Sequence, residues 1–345
     1  MRILHAIRSD GYSGVERYVE RLATAQAADG HDVHVIGGDP ARMRSALAEA
    51  GVGHIPAART IDVVRELSRR RRAAQVVNTH MTAADLAAAV AFTGRSRPAV
   101  VSTRHFAAPR GHVGPLRLDR VVAATIDAEL AISDAVAQAI GRPSTVVHSG
   151  LPERIHAMPP RERAVLIAQR LQPEKQTAVG VEAFLRSGLA DAGWELWIAG
   201  VGPDRDRVEQ TARSGGAASA VRLLGYRTDV PDLLARASLL LAPCPIEGLG
   251  LTVIEAMQAG LPVVAARGGG HVELLDGLDE RALFAPEDAD DAAQRLVSLA
   301  GDDTGREAFG AALRARQRAE YTLVAQATGT EKVYAAALRA REGAP

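Results

Sequence analysis

Residues 243–262 read PCPIEGLGLTVIEAMQAGLP, and this stretch decides how the second half of the chain is interpreted. A buried strand is predicted to end at Ala242 and is followed by a loop that contains Gly248 and Gly250, where a helix is predicted to begin. Glycine lets a backbone approach a ligand closely, and a helix N-terminus presents unpaired N–H groups and the positive end of the helix dipole. The stretch therefore predicts an anion site suited to a sugar diphosphate.

Two carboxylates accompany this loop. Glu247 lies within it, and Glu255 lies five residues beyond Gly250, about 7.5 Å along the helix axis at a rise of about 1.5 Å per residue. At that distance the two carboxylates cannot share one proton. We expect them to hold different hydroxyl-rich parts of one long ligand.

Strands alternate with helices along the whole chain. The predicted strands are 2–6, 32–36, 76–78, 99–103 and 130–132 in the first half, and 164–168, 195–199, 221–224, 239–242 and 262–265 in the second. Helices are predicted among others at 15–28, 83–92, 290–300, 305–320 and 329–341. Such alternation is typical of α/β folds in which helices cover both faces of a parallel sheet.

The chain becomes loop-like near residue 150, and a domain boundary is predicted there. Residues 1–155 form one Rossmann-like domain and residues 156–324 a second, with a C-terminal helix at about 325–345 that packs back on the first. We expect the two domains to face each other across a cleft, because ligands of such sheets bind at the carboxyl ends of the strands.

Composition excludes several classes of protein. The chain has 345 residues, 41 Lys or Arg against 41 Asp or Glu, and 12 aromatic residues, which argues against nucleic acid as a partner. The single cysteine, Cys244, excludes an internal disulfide. No signal peptide and no apolar run of membrane-spanning length is visible, so a cytoplasmic protein is expected.

The ordered set of segments resembles the family 4 glycosyltransferases, which have the GT-B fold. Glu247 and Glu255 match the E-x7-E motif of that family, and residues 11–35, 164–184 and 195–209 resemble its opening loop and helix, its R-L-x-x-x-K segment and its L-x-I-x-G-x-G-P segment. The resemblance covers nearly the whole chain. It implies transfer of a hexosyl group from a nucleotide sugar with retention at the anomeric carbon, no obligatory metal and no other cofactor.

The resemblance also implies roles for individual residues. Arg170 and Lys175 would hold the donor diphosphate, and Glu255 would bind the ribose hydroxyls. The donor sugar and its phosphate would be held by Glu247 with the backbone of Gly248, Leu249 and Gly250. In the first domain, Gly14 would approach the diphosphate, His105 would lie near the transferred sugar, and His80 would face the cleft. The residues expected to take part in catalysis are therefore His105, Glu247, Arg170 and Lys175.

Several signals have a second interpretation. The basic run Arg69, Arg70, Arg71 and Arg72 is either a solvated helix face or a contact with an anionic membrane surface. Gly200 and Gly202 mimic a dinucleotide fingerprint, but residue 205 is an arginine, which disfavours a redox site. A phosphorylase or nucleotide-sugar epimerase would use much of the same phosphate site, and a catalytically silent sugar-binding protein is the non-enzyme alternative. The acceptor cannot be named from these residues.

Overall fold

The computed structural model describes residues 1–94, 96–113, 116–122, 124–154, 159–216 and 218–342. The chain divides into two compact units: Met1–Pro152 with Thr322–Pro345 form the first, and Glu153–Tyr321 form the second. The predicted boundary between residues 155 and 156 and the last three residues of the predicted C-terminal helix lie outside the described residues.

The first unit is built on a parallel sheet. Its strands are β1 Arg2–Ile7, β2 Asp32–Ile36, β3 Gly53–Ile55, β4 Val76–His80, β5 Ala99–Arg104, β8 Ala128–Ala131 and β9 Thr145–Val146, and a separate antiparallel pair consists of β6 His112–Val113 and β7 Leu116–Arg117. Within the described residues the sheet order is β3-β2-β1-β4-β5-β8-β9. Every strand pair in this sheet is parallel, as the alternation of strands and helices predicts.

Helices cover both faces of this sheet. They are α1 Gly14–Ala28, α2 Pro40–Glu49, α3 Thr60–Arg70, α4 Thr82–Ala91, α5 Leu118–Val122, α6 Asp134–Ile140 and α14 Leu323–Glu342. The last helix returns to the first unit and packs on β5 and α1. The first turn of α14 is held against the segment that follows β9, because the backbone N–H of Leu323 donates to Leu151 O at 2.8 Å.

Strand alternation divides the buried side chains of the first sheet between its two faces. Leu4, Ala6, Val77 and Val100 are buried in one hydrophobic cluster with side chains of α3 and α4. Burial of a leucine or valine side chain contributes about 1.5–3 kcal/mol. The side chains between them in sequence point to the opposite face, which α1 and α14 cover.

The second unit repeats this architecture with its own sheet. Its strands are β10 Glu162–Ala168, β11 Glu195–Ala199, β12 Val221–Gly225, β13 Ala237–Ala242, β14 Val263–Ala266 and β15 Leu283–Phe284. Its helices are α7 Thr177–Arg186, α8 Arg205–Ser214, α9 Val230–Arg236, α10 Leu251–Gln258, α11 Gly270–Leu275, α12 Ala289–Ala300 and α13 Asp303–Glu320. The strands run parallel in the order β12-β11-β10-β13-β14-β15 across the part of the chain that the structure describes.

The basic run at residues 69–72 does not form one helical face. Helix α3 ends at Arg70, and Arg71 is its C-cap, so the prediction that the whole run lies on a helix is wrong for the last two arginines. Arg69 and Arg70 are ion-paired with Glu66. The guanidinium of Arg71 donates to the backbone carbonyls of Thr93 and Ser96. A membrane contact through this run stays a prediction. Among the described residues, no helix combines the length and the hydrophobicity that a membrane span requires.

Candidate active site

Two predicted site residues of the second unit are in direct contact. Lys175 ends the short 3-10 turn Pro173–Lys175 that follows β10, and Glu247 lies in the loop after β13. Lys175 Nζ donates to Glu247 Oε2, and the two side chains are 15% and 27% exposed. Burial by itself raises the pKa of Glu247, but the charge of Lys175 and its hydrogen bond outweigh that effect, and the pKa is lowered. Glu247 is therefore ionised at neutral pH and paired with a cation at the carboxyl end of the sheet.

The loop that carries Glu247 rests on three consecutive glycines. Gly268, Gly269 and Gly270 follow β14, and a Cβ atom added to any of them would lie 2.1–2.3 Å from backbone atoms of residues 245–249. The backbone N–H of Gly270 also donates to Glu247 O at 2.9 Å. Backbone cannot move aside as a side chain can, so only glycine at these positions lets the two loops approach this closely.

Helix α10 begins directly beyond this loop. Gly250 is its N-cap and adopts a φ of 101°, which favours glycine. In the first turn, Thr252 Oγ1 donates to Ala168 O at 3.1 Å and ties the start of the helix to the end of β10. The N-terminus of α10 and the loop after β10 are thus held together at one edge of the sheet, where a helix N-terminus favours an anion.

A buried histidine lies behind Gly250. His271 Nδ1 donates to Ala266 O at 3.1 Å, and a Cβ atom on Gly250 would lie 3.3 Å from His271 Nε2. Burial lowers the pKa of His271, although the nearby Glu247 opposes the change. A neutral ring that donates through Nδ1 keeps a lone pair on Nε2. The sequence reasoning did not select His271, because nothing in its local pattern distinguishes it from a core side chain.

The loop that carries Lys175 is held from two sides. Gln169 Nε2 donates to Lys175 O at 2.9 Å. Gly200 and Gly202 lie against the same loop, since Cβ atoms there would be 1.8 Å from Gln169 O and 2.1 Å from Leu171 O. The two glycines that mimic a dinucleotide fingerprint are therefore required by close backbone packing around the predicted phosphate site.

The remaining predicted residues of the second unit lie on the same elements. Arg170 is exposed in the loop after β10, Glu255 is half-buried on α10, and Leu249 and Gly250 are buried. Cys244 is buried in the same loop, where its thiol donates to Glu174 O at 3.4 Å. Burial raises the pKa of Cys244 to about 11, so the thiol stays protonated and is a poor nucleophile at neutral pH.

Three histidines of the first unit lie on one face of its sheet. His5 lies within β1, His80 ends β4, and His105 directly follows β5. The register pairs Ile7 with His80 and His80 with Thr103, which places residues 5, 80 and 105 on one face. His5 Nδ1 lies 3.1 Å from His80 Nε2, and His80 Nδ1 lies 3.1 Å from His105 Nε2. The predicted residues His80 and His105 are therefore adjacent, and His5 is a third member that the sequence reasoning missed.

All three imidazoles are held neutral. Burial lowers the pKa of His5 to about 4, against a weaker opposing effect of its hydrogen bond with Gln26. Burial followed by the charge of Arg104 lowers the pKa of His105 to about 3, and burial together with the two flanking histidines lowers the pKa of His80. The ring of Tyr18 packs edge-on against His105 with the ring centres 4.7 Å apart.

Residues 106–110, which follow His105, are held in place by the buried guanidinium of Arg110. Arg110 is fully buried and donates to Asp85 at 2.7 Å, to Asp119 at 3.0 Å and to Glu129 at 2.9 Å. These carboxylates belong to α4, α5 and β8, so the segment cannot leave the sheet without breaking a buried ionic network. On the other side, Met81 follows His80 with a φ of 72°, a strained conformation for a residue with a side chain.

Gly14, which we expect to approach the diphosphate, lies at the N-terminus of α1. It is exposed and is the first residue of α1. The N-cap Ser13 donates its backbone N–H to the Glu16 carboxylate at 2.8 Å, which stabilises the start of the helix. A role of Gly14 toward a diphosphate stays a prediction.

Two family models match the chain in succession. A model described as Glycosyltransferase Family 4 matches residues 12–160, and one described as Glycosyl transferases group 1 matches residues 162–302. The chain belongs to the family 4 glycosyltransferases. The resemblance inferred from the two glutamates and the glycine loop is thus confirmed.

Relatives of this glycosyltransferase chain include proteins that are considerably longer. It is 27% identical over 268 residues to an exopolysaccharide phosphotransferase of Streptomyces coelicolor, an alignment that covers 73% of this chain and 28% of that protein. It is 30% identical over 177 residues to the glycogen synthase of Mycobacterium tuberculosis, covering 51% of this chain and 43% of that protein. These alignments span less than half the length of either relative.

The fold of this family 4 chain is that of solved glycosyltransferase structures. Anabaena HepE in complex with UDP-glucose matches it with a TM-score of 0.79 and 20% identity, covering 97% of this chain and 100% of that one. At this identity the match shows the fold, and it confirms the predicted GT-B class of parallel sheets flanked by helices.

Proposed function

We propose that this protein transfers a hexosyl group from a nucleotide-sugar donor to an acceptor hydroxyl, with retention at the anomeric carbon. The observation that carries the proposal is the contact of Lys175 with Glu247 on a glycine-supported loop at the N-terminus of α10. Family membership supports the donor class, as does HepE, which is described in complexes with UDP and with UDP-glucose. The Streptomyces and Mycobacterium relatives described above are much longer proteins, so the activity proposed for this chain is argued from its own site.

The site provides charge for a departing diphosphate. Lys175 contributes a compact positive charge, Arg170 a guanidinium and α10 its N-terminal N–H groups, and preorganised positive charge of this kind stabilises a developing anion. The positive charge of Lys175 is balanced by Glu247 in the free protein. A bound diphosphate offers Lys175 a second anionic partner, which leaves oxygen atoms of Glu247 available to accept hydrogen bonds from sugar hydroxyls.

Glu247 is assigned to positioning and not to nucleophilic attack. Its carboxylate is ion-paired with Lys175, which lowers its nucleophilicity, and retention then follows from attack on the face from which the diphosphate departs. Glu255 would hold the ribose, and the first unit, with His105, would take the acceptor and the transferred sugar. His80 is fully buried between His5 and His105, so we assign it to the support of His105. Protein-borne charge makes a metal redundant for the leaving group, so the proposal includes no metal and no other cofactor.

A screen of nucleotide sugars by thermal shift tests the donor class. A donor present at 100 times its Kd stabilises the protein by about 2.7 kcal/mol. The most informative variant is Lys175→Ala. Loss of this one preorganised charge is expected to lower kcat by a factor of about 10²–10³. Lys332→Ala is the matched control, because Lys332 is the other lysine of the sequence and is exposed on α14.

The products separate the alternatives. Phosphate-dependent formation of a sugar phosphate would identify a phosphorylase, and interconversion of the nucleotide sugar without acceptor would identify an epimerase. Binding of a nucleotide sugar without turnover on any acceptor would identify a silent sugar-binding protein. If no nucleotide sugar stabilises the protein, or if Lys175→Ala binds and turns over donor as Lys332→Ala does, the proposed site is wrong.

A further inference from the structure

The three histidines of the first unit continue inward to a glutamine. His5 Nε2 lies 2.8 Å from Gln26 Oε1, so the hydrogen bonds run without interruption from Gln26 through His5 and His80 to His105. His5 and His80 are 0% exposed, while His105 keeps 7% of its surface exposed. These hydrogen bonds therefore connect a buried amide to a ring that keeps a small exposed fraction.

A chain of neutral imidazoles has a direction. Each neutral ring carries one N–H and one lone pair, so each hydrogen bond fixes the proton position of the next ring. Gln26 Oε1 can only accept, which makes His5 Nε2 a donor and leaves a lone pair on His5 Nδ1. That lone pair accepts from His80 Nε2, and His80 Nδ1 in turn accepts from His105 Nε2.

We propose that Gln26, His5 and His80 are positioning residues that hold His105 as the Nε2–H tautomer and present its Nδ1 as a hydrogen-bond acceptor. Nδ1 is the ring nitrogen of His105 that takes no part in the hydrogen bonds that run from Gln26 to His105. The ligand class that fits it is a hydroxyl donor, such as a sugar hydroxyl. This last step rests on the proposed function, whereas the tautomer itself does not.

Gln26 is the element that sets the direction. If its amide were reversed, Gln26 would donate to His5, every proton in the chain would move to the other nitrogen, and His105 would offer Nδ1–H. A side chain without an acceptor at position 26 removes the preference and leaves a buried His5 N–H without a partner, which favours the reversed chain. Which nitrogen of His105 carries the proton thus depends on Gln26, which lies three hydrogen bonds away.

Long-range ¹H–¹⁵N correlation spectra of the histidine side chains in the ligand-free protein test the tautomer directly. The expected result is Nε2 protonated and Nδ1 pyridine-like in His5, His80 and His105. A His105 that is protonated at Nδ1, or an imidazolium at neutral pH, overturns the proposal. Because no substrate is present, failure of the donor screen leaves this result standing.

Variants then test the dependence on the chain. Gln26→Met keeps the side-chain length and removes the acceptor, and His5→Phe interrupts the chain by another route if the first variant fails to fold. Both are expected to move at least half of His105 to the Nδ1–H tautomer and to lower kcat at least twofold, in proportion to the competent fraction. Gln317→Met is the matched control, since Gln317 is a buried glutamine of the second unit. If Gln26→Met and His5→Phe lose stability while the His105 tautomer is unchanged, the hydrogen bonds from Gln26 to His105 serve only to stabilise the fold, and the proposal is overturned.

Discussion

Gly270→Ala is the sharpest perturbation of the second-unit site. Gly270 is the first residue of α11, and a Cβ atom there would lie 2.3 Å from Leu249 Cα and 2.7 Å from Leu249 O. Ordinary van der Waals contact begins at 3.4 Å, so the loop at residues 245–249 must retreat by about 1 Å. The atoms in contact are backbone, and no change of rotamer relieves the overlap.

The expected cost has two parts. Overpacking of a tight interior site lowers the free energy of unfolding by about 1–3 kcal/mol. A displacement of about 1 Å in a positioning loop lowers the rate by about 10²-fold, because the reacting groups leave their productive geometry. Since Glu247 lies in the displaced loop and its carbonyl accepts from Gly270 N–H, its contact with Lys175 changes with it.

Urea unfolding and steady-state kinetics with the donor found by thermal shift measure the two parts separately. Gly301→Ala is the matched control, because Gly301 has a φ of −85° and its added Cβ would meet Val297 O at an ordinary 3.5 Å. We expect Gly301→Ala to keep the wild-type kcat/KM and Gly270→Ala to lose about two orders of magnitude. A Gly270→Ala protein with wild-type kcat/KM would refute the inference that this backbone contact positions the loop.

Four further predictions address other parts of the two units. Glu255→Ala weakens donor binding in calorimetry while the urea midpoint stays unchanged; an unchanged Kd would refute the ribose role. Initial rates survive chelation and desalting; complete loss with full recovery on adding magnesium or manganese would contradict the electrostatic account. Because burial lowers the pKa of His5 to about 4 and of His105 to about 3, the unfolded chain binds more protons below its own imidazole pKa of about 6.5. Stability is therefore retained above pH 6.5 and falls between pH 6.5 and 4, by about 1.4 kcal/mol per pH unit for each histidine, and a flat profile of urea midpoints would oppose this. Arg110→Met leaves the carboxylate of Asp85 buried without its guanidinium and lowers the free energy of unfolding by about 3–5 kcal/mol; a loss below 1 kcal/mol in urea titration would show that the network contributes little.

Local periodicity was sufficient to predict the central strands. Strands β2 Asp32–Ile36 and β11 Glu195–Ala199 have the predicted bounds, because a buried strand of five residues is long enough to show an apolar run between turn residues. Three edge strands, β3 Gly53–Ile55, β9 Thr145–Val146 and β15 Leu283–Phe284, were missed. With two or three residues each they carry no periodicity, and they form because a neighbouring strand offers hydrogen bonds.

The candidate site was predictable where one segment carries the chemistry, and unpredictable where register brings segments together. Glu247 and Lys175 could be selected from their own loops, although their contact is between residues far apart in sequence. The partnership of His5 with Gln26 depends on which face of β1 meets α1, and no pattern within either segment specifies it. One signal existed, since a histidine between buried apolar residues of a first strand needs a polar partner.

The two units position their site residues by different physical means. The difference explains why the arrangement in the second unit can be predicted from sequence and the arrangement in the first cannot. In the second unit, two backbone segments pack directly on each other at Gly268, Gly269 and Gly270. Only glycine fits these positions, because any Cβ atom would overlap the neighbouring backbone. In the first unit, position and tautomer are set by the pairing of donors with acceptors, and many pairs of polar residues could satisfy that pairing. Each glycine can therefore be recognised in the sequence by itself, whereas the role of His5 and Gln26 can be recognised only when their hydrogen bond is known. Gln26 is connected to His105 only through the hydrogen bonds of His5 and His80, and no pattern within any one of these segments specifies that connection.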